Sequence, residues 1–200
     1  MTSKIGDPMR KKFDCNDIRD FLTPKSKPKY MMEGCGSEIS LDLEATDPIQ
    51  LCSKFLGAFR GMQIWFHSAH VMTKGTAFAG DHVLLYGKIY EEISEQLDHA
   101  MEKVLGLTNE ESLLCPKEMI KSTQSALDLY DSPSDSSAYN IATTALKLVE
   151  NFLTVIEILY KVKKHHNLMT LGLEDFMSSL ANTHEGYVYQ LQQRVKTHLN

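Results

Sequence analysis

A chain of 200 residues has room for one large domain, or for one domain and a tail. Its hydrophobic content of 42% and charged content of 24% are ordinary for a globular protein. No apolar run approaches the ~20 residues that cross a bilayer, and no apolar segment follows the basic N-terminal residues as in a secretory signal. The four cysteines lack CxxC spacing, so we expect reduced thiols in a cytoplasmic protein with no membrane partner.

The net charge of −5 is unevenly divided along the chain. Residues 1–29 contain eight Lys and Arg and four Asp, a balance of +4, so the remainder carries −9. Residues 1–46 lack sustained periodicity and are interrupted by proline and glycine, so we interpret them as a flexible basic arm with one short helix at residues 16–21. Such an arm can contact the phosphates of DNA, or it can be a solvated tail without a partner.

Four long amphipathic patterns follow the arm, and each predicts a helix. The first begins at Asp47-Pro48, where a capping side chain precedes a proline in the first turn, and it ends near Gly75. The second, third and fourth long helices are predicted at residues 80–107, 138–162 and 173–195. A short helix is predicted between the second and the third, at residues 117–129.

We predict an all-α domain over residues 47–200, because the chain contains no alternating strand pattern and no repeat of ~20–50 residues. The long link between the second and third helices lets these two helices run parallel, which is the ferritin-like topology. The expected fold is therefore a ferritin-like four-helix bundle with a short extra helix in the link between helices two and three.

Imidazole and carboxylate side chains gather around the connection between the first two helices. His70 and His82 lie on the apolar faces of the first and second helices, near their junction. Asp98 and Glu102 follow on the second helix, one helical turn apart. These are ligand types that suit a hard or borderline divalent metal. The alternatives are two core histidines and a solvated carboxylate pair, so a metal site requires that the four residues meet.

A spaced motif connects the two histidines and extends to the carboxylates. It reads His70-x3-Lys74-Gly75-x2-Phe78-x3-His82, followed downstream by Leu97-Asp98-x3-Glu102. The motif and the order of the helices resemble the Dps family, the miniferritins known as DNA-binding proteins from starved cells. The resemblance covers roughly residues 48–199 and leaves the N-terminal arm out.

The resemblance implies a hollow dodecamer with ferroxidase sites at its two-fold interfaces. His70 and His82 would come from one subunit, and Asp98 and Glu102 from its partner. Fe(II) would bind there, in a di-iron or mono-iron site that zinc can also occupy, and would be oxidised by hydrogen peroxide or oxygen before storage as ferric mineral. Some family members also coat DNA through basic tails. If the basic arm of this chain does the same, the protein would be associated with the nucleoid in the cytoplasm.

The chain departs from the family pattern at one ligand position. The family usually has an aspartate where this chain has Tyr86. A tyrosine can ligate ferric iron as a phenolate, but its pKa near ~10 makes it a less ready anion than a carboxylate. Tyr86 is therefore included among the candidate ligands as one that would weaken or alter the site.

The carboxylates form the second departure, because the family spacing would place them on Leu97 and Met101, one residue earlier. A one-residue shift rotates a side chain by about 100° around a regular helix. A π-bulge between His82 and Asp98, with Gly87 as its weak point, would absorb the extra residue. The alternative is a degraded site, in which case the protein would be a Dps-fold structural or DNA-binding shell with weak or lost ferroxidase activity.

His184 is predicted to face the core from the fourth helix, where ferritins carry part of a di-iron site within the bundle. That site needs Glu-x-x-His, and the sequence around His184 lacks this motif. We therefore predict a metal site at a subunit interface rather than one inside the bundle.

Overall fold

The computed structural model describes residues 43–134 and 136–196, and the regular secondary structure of these residues is entirely helical. The predicted all-α class is therefore confirmed. The predicted helix at residues 16–21 and most of the predicted arm lie outside the described residues. The helical elements are α1 (Pro48–Met72), a π-helical segment (Gly80–Gly87), α2 (Lys88–Thr108), a 3-10 turn (Glu111–Leu114), α3 (Pro116–Leu127), α4 (Ala138–His165) and α5 (Leu171–Lys196).

The first helix begins and ends where the capping signals predict. The carboxylate of Asp47 accepts a hydrogen bond of 2.8 Å from the backbone N–H of Ile49, which satisfies one of the free donors of the first turn. The helix ends at Met72, and Gly75 follows with φ at 85°, a left-handed conformation that glycine adopts without steric cost. This short connection brings the π-helical segment back against α1, which sets the position of both histidines.

One apolar core is shared by α1, α2, α4 and α5. Its centre contains stacked and tilted aromatic rings: Phe152 of α4 lies 5.7 Å from Phe55 and 4.6 Å from Phe59 of α1, measured between ring centroids. Burial of these apolar side chains is the main contribution to folding. Among the described helices, none is both long and apolar enough to be a membrane span.

The short helix α3 crosses α1 at close range. A Cβ atom added to Gly57 of α1 would lie 2.6 Å from the Cβ atom of Ser122 in α3, so only glycine fits at this crossing. The Ser122 hydroxyl donates a buried hydrogen bond of 2.9 Å to the carbonyl of Ser53. The link between α2 and α4 is therefore fastened to α1.

Candidate metal centre

His70 and His82 meet in the structure as a stacked pair. His70 lies in the last turns of α1, and His82 lies near the start of the π-helical segment. Their ring centroids are 4.0 Å apart and their planes differ by 9°. The predicted meeting of the two imidazoles is thus realised within one chain.

Reciprocal hydrogen bonds to the backbone define the protonation of both rings. His70 Nδ1 lies 2.7 Å from the carbonyl oxygen of His82, and His82 Nδ1 lies 2.6 Å from the carbonyl oxygen of His70. A carbonyl oxygen only accepts, so each Nδ1 carries the hydrogen and donates it. In the neutral imidazoles, the lone pair is therefore on both Nε2 atoms. A backbone carbonyl that holds one ring nitrogen in this way is the usual support of a metal-ligating histidine.

Phe78 and Gly87 enclose the pair from two sides. The ring of Phe78 stacks on His82 with a centroid distance of 4.7 Å, so the aromatic residue of the motif packs against a candidate ligand. A Cβ atom at Gly87 would lie 2.8 Å from His70 Nδ1 and 2.7 Å from the His82 carbonyl oxygen. The hydrogen bond between His70 Nδ1 and the His82 carbonyl oxygen therefore requires glycine at position 87, because a side chain there would occupy the same space.

A π-helical segment, Gly80–Gly87, contains His82 and ends at Gly87, so the chain has a helical distortion at the position given by the first of the two alternatives. A π turn bonds residue i to residue i+5, so it contains one residue more than an α turn. After it, α2 places Leu97 in the core and Asp98 on the surface.

Asp98 and Glu102 are both exposed on α2, and Glu91 and Glu95 lie exposed on the same helix. Within residues 43–134 and 136–196, no three His, Cys, Asp or Glu side chains of one chain converge on a common metal position. The structure brings together His70 and His82 but does not add Asp98 and Glu102 to them within the chain. The described residues of the chain therefore supply two imidazoles at this position and no third protein ligand.

Tyr86 lies in the core, with a relative exposure of 1%. Its hydroxyl has no hydrogen-bond partner among the described residues, and burial, followed by the nearby Asp81 carboxylate, raises its pKa far above the ordinary value for tyrosine. A phenol must lose its proton to become a strong ligand, and this environment opposes that loss. The observed placement of Tyr86 does not support the ligand role predicted for it.

An ion pair that the sequence analysis missed lies beside the imidazole pair. Asp81, immediately before His82, is buried and accepts hydrogen bonds from Arg194 near the end of α5. A signal for Arg194 exists in the sequence, because it follows Tyr187 and Leu191 at spacings of seven and three residues and so shares their inward face. Nothing in the sequence indicates Asp81 as its partner.

Comparisons with protein-family models, with curated proteins and with solved structures find no match for this chain. The resemblance to the Dps family therefore rests on the motif residues and their spacing. Every position of the first part of the motif is occupied, by His70, Lys74, Gly75, Phe78 and His82. The carboxylate part is displaced by one residue.

Proposed function

We propose that this protein is a Dps-like ferroxidase that binds and oxidises Fe(II), stores the iron as ferric mineral, and so protects the cell from Fe(II) and peroxide. The observation that carries the proposal is the pair formed by His70 and His82. Both imidazoles are oriented by backbone carbonyls, and their Nε2 lone pairs are left for a metal ion.

The arrangement of helices supports a ferritin-like four-helix bundle as the fold. The helices α1 and α2 pack against each other, as do α4 and α5, and α1 also packs against α4. The link from the end of α2 at Thr108 to the start of α4 at Ala138 contains the short helix α3. A link of this length allows α2 and α4 to run parallel, as the ferritin-like topology requires.

We propose that a second subunit completes the site with Asp98 and Glu102. Apolar side chains next to the imidazole pair are exposed in the single chain, with Leu84 at 72% of its full exposure and Val71 and Val83 also largely exposed. Exposed apolar clusters of this kind favour association with another protein surface. A homo-oligomer, in the family a dodecamer, would bury them and bring the carboxylates of one subunit to the imidazoles of another.

The proposed site needs its residues only to bind Fe(II) and to balance its charge. His70 and His82 would bind Fe(II), the substrate, through Nε2, and the carboxylates of Asp98 and Glu102 would balance its charge, which increases on oxidation. Imidazole and carboxylate ligands also accept zinc, so Zn(II) would occupy the same site. Two Fe(II) ions together supply the two electrons that, with two protons from solvent, reduce one hydrogen peroxide molecule to two water molecules, which avoids release of hydroxyl radical.

The alternative is a shell of the same fold with weak or lost ferroxidase activity, acting as a structural or DNA-binding protein. The burial of Tyr86 favours it, because the chain then lacks the third ligand that the family takes from this position. If the basic arm binds DNA, the protein would be nucleoid-associated in the cytoplasm. A mobility-shift assay tests this: deletion of residues 1–46 should abolish DNA binding, and an equal shift by both forms would remove the arm from the proposal.

The ferroxidase proposal predicts that the double substitution His70→Ala and His82→Ala slows Fe(II) oxidation by peroxide by at least roughly 10- to 100-fold, the scale of losses from damaged metal sites. Oxidation is followed by ferric absorbance at equal protein concentration. The matched control is His67→Ala, which removes the exposed imidazole one turn earlier on α1 and should leave the rate unchanged. Equal rates for wild type and the double variant would contradict the proposal.

Mixing subunits tests whether the site is shared between two chains. Subunits that carry His70→Ala and His82→Ala are co-assembled with subunits that carry Asp98→Asn and Glu102→Gln. Each of the two variants is expected to be inactive when it is assembled alone. A shared site predicts recovered oxidation, because each mixed interface retains one pair of intact imidazoles facing one pair of intact carboxylates. The matched control replaces Glu91 and Glu95, exposed carboxylates of the same helix, and should stay active alone. No recovery in the mixture would exclude the inter-subunit arrangement.

A further inference from the structure

A buried ion pair fastens the π-helical segment to the end of α5. Arg194 Nε lies 2.8 Å from Asp81 Oδ1 and 3.0 Å from Oδ2, and Arg194 Nη2 lies 2.8 Å from Oδ2. The side chains of Arg194 and Asp81 are only 14% and 6% exposed. A planar guanidinium that meets a carboxylate with two nitrogen atoms fixes the direction of the contact as well as its distance.

The geometry of this pair indicates a role in orientation rather than in stability. Removing two charges from water is costly, so a buried ion pair often stabilises a fold no better than apolar side chains of similar volume. What apolar side chains cannot reproduce is the directional contact. The exposed pair of Lys161 and Glu157, one turn apart on α4, imposes no comparable constraint between separate elements.

The position of Asp81 links this contact directly to the imidazole pair. Asp81 precedes His82 in the first turn of the π-helical segment, and its side chain points inward while the ring of His82 reaches the carbonyl of His70. The connection before the segment contains Gly75 in a left-handed conformation and exposed residues on both sides of it. Arg194 therefore provides a directional polar contact for the turn that carries His82.

We propose that Arg194 is a positioning residue for His82, acting through Asp81. The guanidinium holds the first π turn at the angle at which His82 Nδ1 donates to the His70 carbonyl and Nε2 stays available. The effect of Arg194 on metal binding rests on the proposed function, but its effect on the orientation of the His82 imidazole does not.

The test replaces the ion pair with apolar side chains, in the double variant Asp81→Leu and Arg194→Met, so that no buried charge is left alone. The tautomer of His82 is read by magic-angle-spinning 15N NMR of histidine-labelled, metal-free protein, with the His82 signal assigned by His82→Gln. This method does not depend on the size of the assembly. The control variant, Glu157→Leu with Lys161→Met, removes an exposed pair and should retain the wild-type spectrum.

We expect wild type to show the Nδ1–H tautomer at His82, and the apolar variant to lose that signal while keeping its helical circular dichroism. A retained Nδ1–H signal in the folded variant would overturn the proposal. Should the double variant fail to fold, Arg194→Lys keeps a positive charge beside Asp81 but cannot form the two-nitrogen contact. It should show a reduced Nδ1–H signal, and an unchanged signal there would equally overturn the proposal.

Zn(II) binding separates this inference from the proposed function. The apolar variant should bind Zn(II) at least about tenfold more weakly than wild type, as expected when the support of a ligand is lost. If wild type itself binds no Zn(II), the metal-site proposal fails while the tautomer still decides the role of Arg194. Undiminished Zn(II) binding by the folded apolar variant would contradict the positioning role.

Discussion

Replacing Gly87 with alanine is expected to weaken Zn(II) or Fe(II) binding by roughly 10- to 100-fold, the range seen when the support of a ligating histidine is damaged. The added methyl group would lie 2.8 Å from His70 Nδ1 and 2.7 Å from the carbonyl oxygen of His82. These two atoms are themselves hydrogen-bonded at 2.7 Å, so the methyl group competes for the space that the bond occupies. One of the groups must move, and the stacked imidazoles separate.

The same substitution should also reduce the free energy of unfolding by about 1–3 kcal/mol, the usual cost of forcing extra volume into a packed site. The matched control is Gly106→Ala in α2, where a Cβ atom would meet no other atom within 4 Å. Since alanine favours helix over glycine, this control should be stabilised by up to about 1 kcal/mol.

Metal affinity is measured by titration, and stability by urea unfolding at a constant protein concentration, because assembly makes stability depend on concentration. Equal metal affinity of Gly87→Ala and Gly106→Ala would show that the close approach at Gly87 does not support the site. A loss of stability without any metal binding by wild type would leave the packing argument intact and contradict the metal site alone.

Acidification is expected to destabilise the protein through His184, by about 3 kcal/mol between pH 6.5 and pH 4. His184 is 0% exposed and is surrounded by the rings of Phe59, Phe152 and Tyr187. Its Nδ1 donates to the carbonyl of Leu180 at 2.8 Å, and its Nε2 has no hydrogen-bond partner in the part of the chain that the structure describes. A proton added to Nε2 would place an unpaired charge in an apolar site.

Burial lowers the pKa of His184 from 6.5 to about 4. Above pH 6.5 the ring is neutral in both the folded and the unfolded chain, so the stability contribution is complete. As the pH falls below 6.5 the unfolded chain takes up the proton first, and stability is lost until the folded protein also takes it up near pH 4. The slope in this window is about 1.4 kcal/mol per pH unit.

Urea unfolding of wild type and His184→Leu across this pH range measures the effect. The variant should lack the contribution to the slope in this window, whatever its absolute stability at neutral pH. His99→Leu is the matched control, because it removes an imidazole that is exposed, rather than buried, in the folded protein. The same pH dependence in wild type and His184→Leu would contradict this account.

Local sequence patterns were sufficient to predict the helices. Periodic apolar residues and the Asp47-Pro48 cap led to a helix that begins where expected, and all five predicted elements of the domain have observed counterparts within the described residues. The π-helical segment was one of two alternatives, and it was considered because the family spacing left one residue in excess between His82 and Asp98. The helices and the cap depend on neighbours in the chain, which a single sequence displays directly.

The partners of inward-facing polar residues could not be obtained in this way. A helical stripe indicates that Arg194 faces inward, but it contains no information about which of the other helices supplies a carboxylate, and Asp81 lies 113 residues away. Tyr86 shows the same limit, because a position matched to a ligand in the motif is a core position in the folded protein. Long-range contacts of this kind arise from the packing of whole helices, and the spacing of residues along one helix does not specify them.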